Sequence, residues 1–103
     1  MDIIMNLRIT EECFGINRVT GERNSKQTDE KIVDAVSGTD VDMPVGRRKF
    51  HIDTVSENSI TVTVVYENNP AANKTYEIAK GESVLYRPMS RDGGYKYTLS
   101  AED

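Results

Sequence analysis

An all-β chain, with its strands in facing antiparallel sheets, is predicted by three observations. Apolar residues recur with a period of two in five consecutive segments of the C-terminal half. These segments are short, and clusters of Gly, Pro, Asn and Ser separate them at intervals of roughly ten residues. Only one stretch also reads as an amphipathic helix. At 103 residues the chain has the size of a single domain, residues 1–103, able to bury a core without disulfides or metals.

The elements follow in order. In "DIIMNLRI" Ile3, Met5 and Leu7 fall on one face opposite Ile4 and Arg8, a strand pattern. Residues 17–31, "NRVTGERNSKQTDEK", are polar and aperiodic and read as a long loop. "TDEKIVDAVSG", residues 28–38, reads equally as a strand or as a helix capped by Thr28. In the helical reading Asp29 and Glu30 occupy the first turn, Ile32, Val33 and Val36 are buried, and Gly38 is the stop. "RKFHIDTV" then sets Phe50 and Ile52 against His51 and Asp53, and "SEN" turns the chain into "SITVTVVYE", where Ile60, Val62, Val64 and Tyr66 share a face.

Beyond "NNPAAN", the segment "KTYEIA" places Tyr76 and Ile78 inward, and Lys80-Gly81 allows a tight reversal into "ESVLY". "YKYTLSA" closes the series with Tyr95, Tyr97 and Leu99 on one face. The expected core is Phe50, Ile52, Ile60, Val62, Val64, Tyr76, Ile78, Val84, Tyr95, Tyr97 and Leu99. About seven short strands with little helix indicate an antiparallel β-sandwich of immunoglobulin-like type, with a small β-barrel as the rival.

Composition narrows the functional classes. Hydrophobic residues make up 37% and charged ones 29%, and the net charge is −4. An acidic balance argues against a nucleic-acid partner, which needs Lys and Arg to displace counterions from phosphates. No apolar run has the length of a membrane span, and "MDIIMNLRITEE" lacks the positive charge of an export signal. Cytoplasm and a mature exported segment both remain open. With Cys13 as the lone cysteine there is no internal disulfide and no cysteine-based zinc site. No cofactor or metal is expected.

Residue types that carry chemistry are scarce. Cys13 and His51 are the single cysteine and histidine, and a thiol enzyme would need them as nucleophile and base. Their surroundings read instead as a packing residue beside Phe14 and an outward position on a strand. Asp40 and Asp42 lack the other ligands of a calcium loop, and Glu11 and Glu12 are neighbours that a strand points to opposite faces. All four are expected to be solvated surface. "NKT", residues 73–75, matches a glycosylation sequon. Arg47, Arg48 and Lys49 read as a charged sheet edge, with Arg47 and Lys49 on one face and Arg48 on the other. A catalytic constellation is not expected.

"RPMSRDGG", residues 87–94, is longer than a hairpin reversal needs. Pro88 fixes φ, Asp92-Gly93 suits a tight turn, and Met89, Ser90 and Arg91 are carried outward. Arg87, Pro88, Met89, Ser90 and Arg91 are the candidate binding residues. The expected function is a small non-catalytic binding or interaction module, a monomer with a protein partner. It is either an independent protein or a unit of a cell-surface or secreted one.

"NRVTG" (Asn17, Thr20, Gly21) and "RP" (Arg87, Pro88) before the closing strand resemble the loops of the chagasin family of cysteine-protease inhibitors, immunoglobulin-like domains of about this size. The resemblance implies inhibition by wedge insertion of residues 17–21 and 87–89. Arg18 stands where the family loop has proline, Met89 where it has an aromatic residue, and no Gly-rich loop lies between the two motifs.

Overall fold

A strand is stabilised where one face of its pleat has side chains to bury, and most of the eight strands among the described residues meet that condition. The computed structural model describes residues 5–16, 19–88 and 93–103. Its strands are β1 (Asn6–Ile16), β2 (Arg23–Asp34), β3 (Asp40–Met43), β4 (Arg48–Val55), β5 (Ser59–Val65), β6 (Lys74–Ala79), β7 (Ser83–Tyr86) and β8 (Gly93–Glu102). A one-turn 3-10 helix, Pro70–Ala72, stands between β5 and β6. The strands form two antiparallel sheets of four, ordered β2-β1-β8-β7 and β3-β4-β5-β6. The predicted all-β sandwich is what the chain builds.

The chain changes sheets twice, between β2 and β3 and between β6 and β7; every other connection joins neighbours in one sheet. The strands therefore follow one another around the molecule in sequence order. β1 closes the circuit against β8, with Asn6 opposite Glu102 and Gly15 opposite Gly93. This up-and-down order qualifies the immunoglobulin-like expectation, because such domains use Greek-key connections. It is the connectivity of the rival barrel, laid out as two sheets. One consequence positions the site. The β1–β2, β3–β4, β5–β6 and β7–β8 connections all leave from the same end of the sandwich.

Of the eleven expected core residues, Phe50, Ile52, Ile60, Val62, Val64, Ile78, Tyr97 and Leu99 are fully buried, and Tyr76, Val84 and Tyr95 pack half-buried against them. Met5, Leu7, Ile9, Ala35, Val41, Met43, Tyr86 and Ala101 are buried with them. Phe50 meets Tyr97 edge-on at 5.2 Å between ring centroids, and Tyr86 stacks on Tyr97 at 6.0 Å. Such ring pairs stabilise by about 0.5–1.5 kcal/mol beyond their buried area.

Three sequence expectations are corrected. Residues 23–31 are strand β2 and not loop, and residues 28–34 continue that strand, which excludes the helix capped by Thr28. β2 pairs with β1 alone, at the edge of its sheet, and Ile32 remains 51% exposed. Both of its faces are mainly polar, so the alternation that reveals a half-buried strand is missing. Arg47 belongs to the turn before β4, not to the strand, so it does not share a strand face with Lys49. Glu11 is not solvated surface: it is 0% exposed.

A basic cleft held by a buried carboxylate

β1 turns Leu7, Ile9 and then Glu11 toward the facing sheet, all three fully buried. An unpartnered carboxylate there would cost several kcal/mol. Glu11 is partnered three times. Tyr97, directly opposite on β8, donates its hydroxyl to Oε2 at 2.9 Å. Thr28 donates to Oε1 at 2.6 Å. The register explains how: Glu11 pairs with Asp29 but Glu12 with Gln27, so Thr28 is the extra residue of a bulge, and the bulge aims its hydroxyl at the carboxylate. The third donor comes from the other sheet, where the Gly46 backbone N–H reaches Oε2 at 3.1 Å.

Gly46 is required for space. A Cβ there would lie 2.0 Å from the Tyr97 hydroxyl and 2.6 Å from Glu11 Oε2. Both are ends of buried side chains with no room to retreat. The β3–β4 turn is thus pinned across the sandwich to β1 and β8. Burial, followed by the hydrogen bond to Glu11, pushes the Tyr97 phenol well above its ordinary value.

The pinned turn forms one wall of a surface cleft of about 480 Å³. From that wall come Pro44, Arg47, Arg48 and Lys49; Tyr66, Asn68 and Asn69 supply the opposite wall. Arg47 is exposed and has φ 53°, the left-handed conformation that a residue with a Cβ adopts at a cost of about 1–3 kcal/mol. The Arg48 guanidinium carbon sits 4.6 Å from the centre of the Tyr66 ring. Its Nε is buried and hydrogen-bonds to nothing. Lys49 pairs with Glu67 at 2.8 Å. The far wall is ordered by hydrogen bonds to the backbone of Tyr66. The Asn73 side-chain carbonyl accepts from the Tyr66 N–H at 2.7 Å, and Asn69 N–H donates to Tyr66 O at 3.1 Å. The asparagine of the sequon therefore has a structural task in this loop.

The residues singled out in the sequence fall elsewhere. Arg87 is exposed and its guanidinium carbon lies 4.6 Å from the centre of the Phe14 ring on β1; Pro88 is half-buried. Met89, Ser90 and Arg91 lie outside the described residues. Asn17 and Arg18 of the inhibitor-like motif do so too. Cys13 lies between Lys26 and Tyr95 in one sheet, whereas His51 is on the outer face of the other, with Nδ1 2.6 Å from Asp40 and Nε2 3.7 Å from Asp53. The structure does not bring the thiol and the imidazole together. Among the described residues no three of His, Cys, Asp and Glu are grouped to hold a metal, and no helix is long and apolar enough to cross a membrane.

Sequence reasoning missed the cleft because its parts are far apart in the chain. One signal was present. The β1 alternation Leu7, Ile9, Glu11 assigns the carboxylate an inward position, and an inward carboxylate requires donors from elsewhere. No protein family, curated protein or solved structure matches the chain.

Proposed function

We propose that this chain is a non-catalytic binding module whose contact surface is the cleft between the β3–β4 turn and residues 66–69. The observation that carries the proposal is the pinning of that turn: a buried carboxylate with three donors from β2, β8 and the opposite sheet holds a wall bearing two arginines. Burying a charge in a sandwich adds little net stability compared with an apolar side chain of the same shape. Its directional bonds do fix one geometry, and a fixed wall lowers the ordering cost of binding. The experiment is an amide chemical-shift survey of the 15N-labelled protein against a set of neutral, cationic and anionic small molecules. Shifts concentrated at residues 42–49 and 65–69 are expected. Shifts absent there for every compound would sink the proposal.

A second reading, the cysteine-protease inhibitor, is favoured by one observation. Gly15 lies opposite Gly93, and Ile16 opposite Arg23, so the β1–β2 and β7–β8 connections start side by side at one end of their sheet. Two adjacent loops are what a wedge needs. Titrating a papain-like protease with the protein decides it: unchanged protease activity at micromolar protein removes the inhibitor reading.

A further inference from the structure

We infer that the group the cleft receives is an oxyanion, a carboxylate, sulfate or phosphate, held by the guanidinium groups of Arg47 and Arg48; this rests on the cleft being the binding surface. Arg48 Nε is buried and without a hydrogen-bond partner. That buried donor is closed to the cleft; what Arg48, as a lining residue, offers a ligand is the outer edge of the same guanidinium, which pairs with two oxygens of one oxyanion. Tyr66 under the guanidinium fixes where that edge sits. Arg47 follows the same logic by another route. It holds a left-handed backbone conformation in a turn where glycine would be unstrained. Its exposed side chain stands on the cleft wall, so stability has been given up at a position where the charge is useful.

Local charge agrees. The cleft is lined by three cations and by the carboxylates Asp42 and Glu67. Glu67 is engaged by Lys49 at 2.8 Å, so the two arginines stand against Asp42 alone and the lining carries a surplus of one positive charge. Asn68 and Asn69 line the same cleft and bring amides able to hydrogen-bond the rest of a ligand. A surplus this small, in a chain of net charge −4, suits a single oxyanion and not a polyanion track.

The test is an amide-shift titration with inorganic phosphate, sulfate and acetate, each at constant ionic strength set with sodium chloride. Saturable shifts at residues 42–49 with at least one of the three, beyond those in chloride alone, are expected, and which of the three binds tightest identifies the source of the oxyanion. Arg48→Lys keeps the charge but removes Nε and the fork, and is expected to weaken binding at least tenfold. Arg47→Gly is expected to weaken binding several-fold while raising the melting temperature, because it relieves the strained turn. Arg47→Gly also guards against misreading a folding defect. If all three anions behave as chloride does while neutral compounds still shift the cleft, the oxyanion assignment is wrong and the binding surface stands. If no compound shifts the cleft, both are wrong.

Discussion

At the end of the sandwich where β1 begins, the interior between the sheets is Leu7, Ile60, Ile78, Leu99 and Ala101, all apolar and fully buried. At the cleft end, the same inward row of β1 that supplied Leu7 and Ile9 supplies Glu11, and the β8 row that supplied Ala101 and Leu99 supplies Tyr97. Apolar burial is non-directional. It stabilises by about 25 cal/mol per Å², wherever the side chain settles. A carboxylate with three donors is satisfied in one arrangement only, at little net gain in stability. One end of this interior supplies stability, and the carboxylate at the other supplies position. The position it sets is that of the β3–β4 turn.

Four substitutions break or sharpen that contrast. Leu7→Ala, at the apolar end, is expected to cost about 3 kcal/mol of unfolding free energy in denaturant titration. The cleft is expected to respond to ligands as before, since nothing there moves. Gly46→Ala forces a Cβ onto the Tyr97 hydroxyl and Glu11, and is expected to cost about 2 kcal/mol through overpacking. Unlike the first, it also displaces the turn, so amide shifts at residues 44–49 and loss of anion binding accompany it. An unchanged cleft in a folded Gly46→Ala protein would show that position does not depend on the carboxylate.

Tyr97→Phe leaves the ring packing in place and removes one donor from Glu11, an expected loss of about 1–2 kcal/mol near neutral pH. Its pH dependence follows from the raised phenol. The folded chain holds this proton more tightly than the unfolded chain does. The associated stability is fully present below the ordinary phenol range, about pH 10, and is lost as pH climbs through the raised folded value. Tyr76, also raised by burial, acts in the same sense. Alkaline unfolding followed by circular dichroism is expected to set in at higher pH in Tyr97→Phe than in the parent, relative to each protein's neutral stability. Lys49→Ala is the smallest change. Its partner Glu67 is 68% exposed, so the melting temperature is expected to stay within error.

The strands of the C-terminal half were legible because each has one face against the core, and burial writes a period of two into the residues. β2 was not. Its ladder to β1 uses backbone groups that every residue has, and the face it turns inward is mostly polar, with Val33 the one side chain of β2 packed on the core, so its sequence carries no alternation to read. Glu11 was legible in position and misread in consequence. The rule that charged residues are solvated outweighed the strand parity that put it beside Ile9. The cleft was beyond local reading, because Gly46 is 35 residues and Tyr97 86 residues from Glu11. The sequence run Arg47, Arg48, Lys49 showed the charge but not the turn that divides it.

The pairing of β1 with β8 also bears on how the chain comes off the ribosome. Asn6 and Glu102 are partners, so one side of β1 has no neighbour until almost a hundred residues have been made. During synthesis β1 can settle against β2, and β3 to β6 can form their meander, from contacts close in the chain. Glu11 then has Thr28 but not Tyr97, and it keeps its hydration. Only when β8 arrives does the carboxylate lose its water and gain its last donor. The desolvation of the one buried carboxylate among the described residues is thereby deferred to the pairing of β1 with β8, and pairing over such separations is characteristic of slow, millisecond-to-second folding.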